Sequence, residues 1–142
     1  MLARRPLVVA DGAHNKDAAH HLAAAIPGAF TSSRLILVLG VLGPHDPTEI
    51  IDELSVLSPE VVVTSTAPSG RAVPAELLAT AVADRGLEVE VVREPTDAVT
   101  RAVGLAGEDD LVLVAGTFYI ISPVRRAVSA MGIKGDRQEE EF

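Results

Sequence analysis

Short apolar runs bounded by turn residues alternate along the chain with longer amphipathic stretches. The runs are Leu7-Val8-Val9-Ala10, Leu35 to Leu39, Val61-Val62-Val63, and residues 89–92 and 111–114. Most are rich in β-branched side chains and show little alternation, the pattern of strands buried on both faces. The stretches between them predict helices over about 16–25, 48–57, 74–85, 96–106 and 119–131. Boundary residues support these spans: Pro74 near a first turn, Thr96 before Asp97, Gly86 closing the third helix and Gly132 following the fifth.

A strand–helix unit repeated every ~25–30 residues implies right-handed crossovers and a mostly parallel sheet. The fold class expected is therefore α/β: a three-layer, Rossmann-like domain whose sheet of five to six strands carries helices on both faces. Residues 1–135 are expected to form one domain, and residues 136–142, with Glu139-Glu140-Glu141, an acidic disordered tail.

Composition narrows the function. The 142 residues are 48% hydrophobic but only 3% aromatic, so the core is built from Val, Leu, Ile and Ala. Twelve Lys plus Arg against twenty Asp plus Glu give a net charge of −8, which argues against nucleic acid or an anionic membrane as partner. No cysteine is present, which removes disulfides, zinc thiolates and thiol nucleophiles. No apolar run approaches the ~18–20 residues that span a bilayer, and Val8-Val9-Ala10 is too short for a signal-peptide core, so a cytoplasmic protein is expected.

In an open α/β sheet, ligands collect at the carboxyl ends of the strands. Four polar or glycine-rich loops would open there: Asp11-Gly12-Ala13-His14-Asn15, residues 40–46, residues 64–71, and Gly116-Thr117-Phe118-Tyr119. Asp11 is placed to accept both hydroxyls of a ribose, with His14 beside it as a stacking plane or donor; alternatively Asp11 and Asn15 cap the first helix. His45-Asp46 reads either as an acid/base dyad or as loop and N-cap. Arg71, the cation of these loops, suits a carboxylate or stands in solvent. His20 and His21 are neighbours on a helix surface rather than a metal pair, and Asp109-Asp110 read as a solvated turn at the opposite edge. No metal site is expected. G-x-x-x-x-G-K-[ST] and G-x-G-x-x-G are both absent, and Thr64 and Ala115-Gly116 stand where a phosphoacceptor receiver domain needs Asp and Lys.

At these loops the chain resembles the C-terminal domain of folylpolyglutamate synthase, its bifunctional dihydrofolate synthase relatives and the wider muramyl (Mur) ligase superfamily. The matching segments are Val9-Ala10-Asp11-Gly12-Ala13-His14-Asn15, Leu39-Gly40-Val41-Leu42-Gly43 with Asp46, residues 68–76 beginning Pro68-Ser69-Gly70-Arg71, and residues 113–119 ending Gly116-Thr117-Phe118-Tyr119. The resemblance spans about residues 5–131 and implies an ATP-dependent amide ligase, in which a carboxylate is activated as an acyl phosphate and an amino acid displaces phosphate. It implies L-glutamate as that amino acid, a folate as acceptor, and ATP with Mg²⁺ as cofactors. Asp11, His14 and Asn15 would then bind the nucleotide, and Arg71, Thr117 and Tyr119 the glutamate.

Three departures stand out. The family's G-D-K-D is Gly43-Pro44-His45-Asp46 here, Thr117 replaces a serine, and the P-loop domain with the Mg²⁺ ligands is missing. The leading expectation is a ligase C-terminal domain that folds but does not turn over alone, its partner being the missing P-loop domain. The alternative is a stand-alone, non-catalytic binding module that retains the fold.

Overall fold

Every residue of the central strands is apolar on both sides of the pleat, so neither face can be left to water. The computed structural model describes residues 3–4, 6–29 and 34–131. It contains one sheet of β1 (Ala3–Arg4), β2 (Leu7–Ala10), β3 (Leu35–Leu39), β4 (Val61–Thr64), β5 (Val89–Val91) and β6 (Leu111–Ala115), in the order β1-β2-β6-β3-β4-β5. All pairings are parallel except β1 with β2. Two residues with no apolar pattern made β1 invisible in the sequence; the other five strands fall within a residue of their expected spans.

Alternation along the strands divides the core. Val9, Leu37, Leu39, Val62 and Leu113 face helices α1 (Lys16–Ala29), α2 (Pro47–Ser55) and α3 (Ala75–Ala83). Val8, Ile36, Val38, Val63 and Val112 face α4 (Pro95–Leu105) and α5 (Ile121–Ala130) on the other side. The three-layer, Rossmann-like architecture is thus as expected. Burying each Val or Leu contributes roughly 1.5–3 kcal/mol, which makes the doubly covered sheet the main source of stability.

Helix ends differ in detail. Helix α1 continues to Ala29 through Pro27, which lies in its final turn and costs one backbone bond rather than breaking the helix. Helix α4 starts earlier than Thr96: Glu94 is the cap, its carboxylate accepting from the Thr96 backbone N–H at 3.0 Å and hydroxyl at 2.8 Å, with Pro95 in the first turn. The span expected as one helix from 119 opens with a 3-10 turn, Phe118–Ile120, before α5. Helix α3 ends at Ala83 with Asp84 as its C-cap, two residues short of the expected span, and Gly86, with φ +75°, turns the chain beyond it. Gly132 and the acidic segment 136–142 lie outside the described residues.

At the amino edge of the sheet, Asp110 is buried, not a solvated turn residue. Its carboxylate accepts from Arg34 Nε at 3.0 Å, from Arg34 Nη2 at 2.7 Å and from the Gly107 backbone N–H at 2.7 Å. These donors, Arg34 foremost, hold Asp110 below the usual carboxylate range.

Candidate functional site

Two glycines bring the strand ends of β6 and β3 together. Gly116 adopts φ +116°, and a β-carbon there would collide with the Gly40 carbonyl oxygen. Only glycine permits this crossing. The Gly40 N–H donates to Ala115 O at 3.2 Å and the Gly116 N–H to Ala13 O at 2.9 Å, so the exits of β2, β3 and β6 are tied at one point.

The loops after β3 and β4 are joined separately. The Gly43 N–H donates to Arg71 O and the Val73 N–H to Val41 O, both at 2.8 Å, around an antiparallel bridge between Leu42 and Ala72. The Gly43–Pro44 peptide is cis. This short zipper sets Arg71 beside His45.

The result is an open pocket of about 180 Å³ at the carboxyl edge. His14, His45, Arg71, Thr117 and Tyr119 line it, drawn from all four loops. Leu42 and Gly43 complete the wall, and no acidic side chain is among the lining residues. The His14 and His45 rings meet edge to face, 73° apart with centroids at 5.4 Å. His14 Nδ1 lies 3.1 Å from Gly12 O; a carbonyl only accepts, so Nδ1 carries the hydrogen. Buried Thr117 accepts the Tyr119 backbone N–H at 3.2 Å, which sets the start of the 3-10 turn and leaves Tyr119 half exposed across the pocket. Arg71 is exposed at its rim.

Other residues named from the sequence take local roles. Asp11 is half-buried and its Oδ1 accepts from the Ala13 N–H at 2.9 Å, an Asx turn rather than a helix cap. Asn15 is the helix cap: its Oδ1 accepts from the Ala18 N–H at 2.9 Å. Neither lines the pocket, though both flank His14. Asp46 caps α2, accepting from Thr48 N at 2.9 Å and Thr48 Oγ1 at 2.6 Å, bonds that lower its pKa. The cap reading of Asp46 therefore prevails over a dyad with His45. His20 stands on the α1 surface, 2.9 Å from Glu53. Among the described residues, no three His, Asp or Glu side chains converge as a metal site would require.

A second recess adjoins the first, walled by Pro68, Tyr119, Ser122, Pro123 and Arg126. Sequence reasoning missed it. Its signal was present: Tyr119, Ser122, Pro123 and Arg126 recur at helical spacing, but a charged residue beyond an expected helix start reads as solvated surface.

Comparison with known proteins decides the family. The family model for the Mur ligase glutamate ligase domain matches residues 2–118. The chain belongs to this family. A probable bifunctional folylpolyglutamate synthase/dihydropteroate synthase of Halobacterium salinarum is 35% identical over 84% of the chain and 14% of its own length. A UDP-N-acetylmuramoyl-L-alanyl-D-glutamate–2,6-diaminopimelate ligase of Parasynechococcus marenigrum is 35% identical over 78% of the chain and 23% of its own length. E. coli FolC in complex with DHPP and ADP superposes on 92% of the chain with a TM-score of 0.82 at 23% identity, the chain covering 30% of it. The glutamate ligase domain thus spans under a third of each of these relatives. No helix among its described residues is long and apolar enough to cross a membrane.

Proposed function

We propose that this Mur ligase domain serves an ATP-dependent carboxylate–amine ligase of the folylpolyglutamate synthase type. In this reading it holds the incoming L-glutamate while a phosphate-binding domain activates the carboxylate of a folate. One observation carries the proposal: residues from four separate loops, between His14 and Tyr119, converge on one pocket whose formal cation is Arg71.

Each side chain has a task its chemistry suits. Arg71 offers a planar fork of donors to the glutamate's carboxylate. The Thr117 and Tyr119 hydroxyls, in the same pocket, orient the rest of the amino acid. His14 and His45, edge to face, form a wall that fixes the ligand's approach. The α-amino group is thereby turned toward the activated carboxyl carbon, where a C–N bond forms as the activating phosphate leaves. Holding both reactants in register supplies much of the acceleration in such a reaction.

ATP, when bound, provides the phosphoryl group that activates the acceptor. Asp11 fits its ribose: the Ala13 N–H orients one carboxylate oxygen, and the side chain stands at a strand end beside His14 and Asn15. Asn15 spends its side-chain oxygen on Ala18, which leaves its amide nitrogen as the group it could offer a nucleotide. The described residues offer no convergent set for Mg²⁺, and we assign that ion to the phosphate-binding domain.

The test is a domain exchange. The chain replaces the corresponding domain of a folylpolyglutamate synthase, and phosphate release is followed against L-glutamate. Glutamate-dependent turnover is expected, with Arg71→Ala raising the KM for glutamate more than that for ATP. Turnover that ignores glutamate, or an Arg71→Ala effect confined to ATP, would overturn the assignment.

A further inference from the structure

Arg71 is the fixed cation among the residues lining the pocket at the carboxyl edge, whereas an amino acid with an acidic side chain brings two carboxylates. A carboxylate taken out of water without a partner loses more than the contact returns. Two further lining groups can become cationic, His14 and His45, because imidazole changes charge in the neutral range. They differ in their commitments. His14 is half-buried, and its Nδ1 hydrogen points at Gly12 O, 3.1 Å away. His45 is exposed and meets the His14 ring at a centroid distance of 5.4 Å; among the described residues its ring nitrogens make no hydrogen bond. His45 is also tied to Arg71 through the backbone. The Gly43 N–H donates to Arg71 O at 2.8 Å beside the Leu42–Ala72 bridge, so both side chains leave one short ribbon.

We propose that His45 selects glutamate by its side-chain carboxylate, taking up a proton as the ligand binds, so that the pocket gains a second cation only when a dicarboxylate fills it. The inference rests on the reading of the Arg71 pocket as the glutamate site. The α-amino group must leave the open pocket to react. That keeps the α-carbon and its carboxylate at the rim with Arg71 and sends the side chain toward the His14–His45 corner. The charges around His45 make its proton conditional. Arg71 and His14 share the pocket with it, and a cation on either opposes a charge on His45; the Tyr119 phenol is the remaining titratable group of the lining. Asp46 follows His45 in the chain, but Thr48 holds its carboxylate from backbone and hydroxyl, and Arg85 and Asp52 lie in its field. Asp11, in the loop of His14, has one oxygen on the Ala13 N–H. Neither acid lines the pocket, so within an empty pocket His45 has no carboxylate to pair. A dicarboxylate reverses the balance: one carboxylate neutralises Arg71 and the other stands against the imidazole. One proton passes from solvent to the His45 ring, and no bond in the ligand changes.

A ligand that favours the protonated ring is itself favoured by protons, because the coupling is reciprocal. The test is titration of the isotopically labelled 142-residue chain with L-glutamate and with L-glutamine at about pH 6 and about pH 8. Amide NMR shifts give the affinity, and the His45 ring carbons report its charge. The ligand carboxylates stay ionised over this interval. Glutamate should bind about two- to fivefold tighter at the lower pH, the size an exposed ion pair supplies, and the His45 ring should titrate at higher pH when glutamate is bound. Glutamine should show neither effect. His45→Gln should abolish the pH dependence and bring glutamate to the affinity of glutamine, whereas His45→Lys should keep the preference for glutamate at both pH values. Unchanged amide shifts in β3 and β6 establish that the variants fold. Equal glutamate affinity at the two pH values, a pH effect shared by glutamine, or one that survives His45→Gln would overturn the proposal and leave the amino-acid site at Arg71 standing. Failure of L-glutamate to bind at either pH would overturn both.

Discussion

Gly116 and Gly40 cross so closely that the β-carbon of any other residue at 116 would collide with the Gly40 carbonyl oxygen. The contact fixes how the exits of β6 and β3 approach each other, and hence the position of Thr117 and Tyr119 in the pocket they share with Arg71. Gly116→Ala should therefore destabilise the domain by about 3 kcal/mol or more, from both the collision and the positive φ. Gly104→Ala, in the last turn of α4 with nothing within 4 Å of the new carbon, should instead stabilise slightly, by up to about 0.5 kcal/mol. Urea unfolding of the two variants checks both signs.

Asp110 and Arg34 predict an acid limb. Arg34 lowers the Asp110 pKa in the folded chain, whereas the unfolded carboxylate titrates near ~3.9. The folded state therefore binds a proton less readily, and the stabilisation is complete above about pH 5 and is lost as pH falls through the folded value. Asp110→Asn should lower stability at pH 7, and its deficit should shrink on acidification. Urea midpoints of native and variant chains between pH 7 and 3 measure this; a constant gap would contradict it.

His45 and Asp46 are adjacent but belong to different structures, one in the pocket and one capping α2. Asp46→Asn keeps an oxygen acceptor for Thr48 and should leave glutamate binding intact. His45→Ala removes a pocket wall and should weaken it severalfold. Calorimetric titration of both variants with L-glutamate separates the roles, and equal losses would mean that the two act together.

Asp11 predicts a nucleotide effect. Asp11→Ala removes a carboxylate acceptor for the ribose and the Asx turn at Ala13. In the exchanged ligase the KM for ATP should rise, with charge-assisted hydrogen bonds contributing on the order of 1.5–3 kcal/mol each. Asp11→Asn retains the turn and should lose only the charge component. Unchanged ATP kinetics in both variants would retire the ribose role.

The doubly buried strands were legible because apolar runs such as Leu35–Leu39 have only one comfortable home in an α/β domain. The pocket-lining residues of the four loops were legible as well, because parallel strands must all end at one edge. What escaped was geometry that no local pattern encodes. Strand order places β6 between β2 and β3, and that order, not the sequence of Gly40 or Gly116, creates their crossing. The burial of Asp110 depends on Arg34, far away in sequence, and a pair of aspartates beside a glycine carries no trace of that partner. Arg126 belonged to a helix face whose neighbour, Pro68, comes from another loop.

The most direct measurement is titration of the isotopically labelled chain with L-glutamate, observed by amide NMR, in native and Arg71→Ala forms. Shifts confined to residues 12–15, 42–45, 70–72 and 116–119, and abolished by Arg71→Ala, are the predicted result. Shifts centred elsewhere, or identical in both forms, would contradict the assignment of this edge as the amino-acid site.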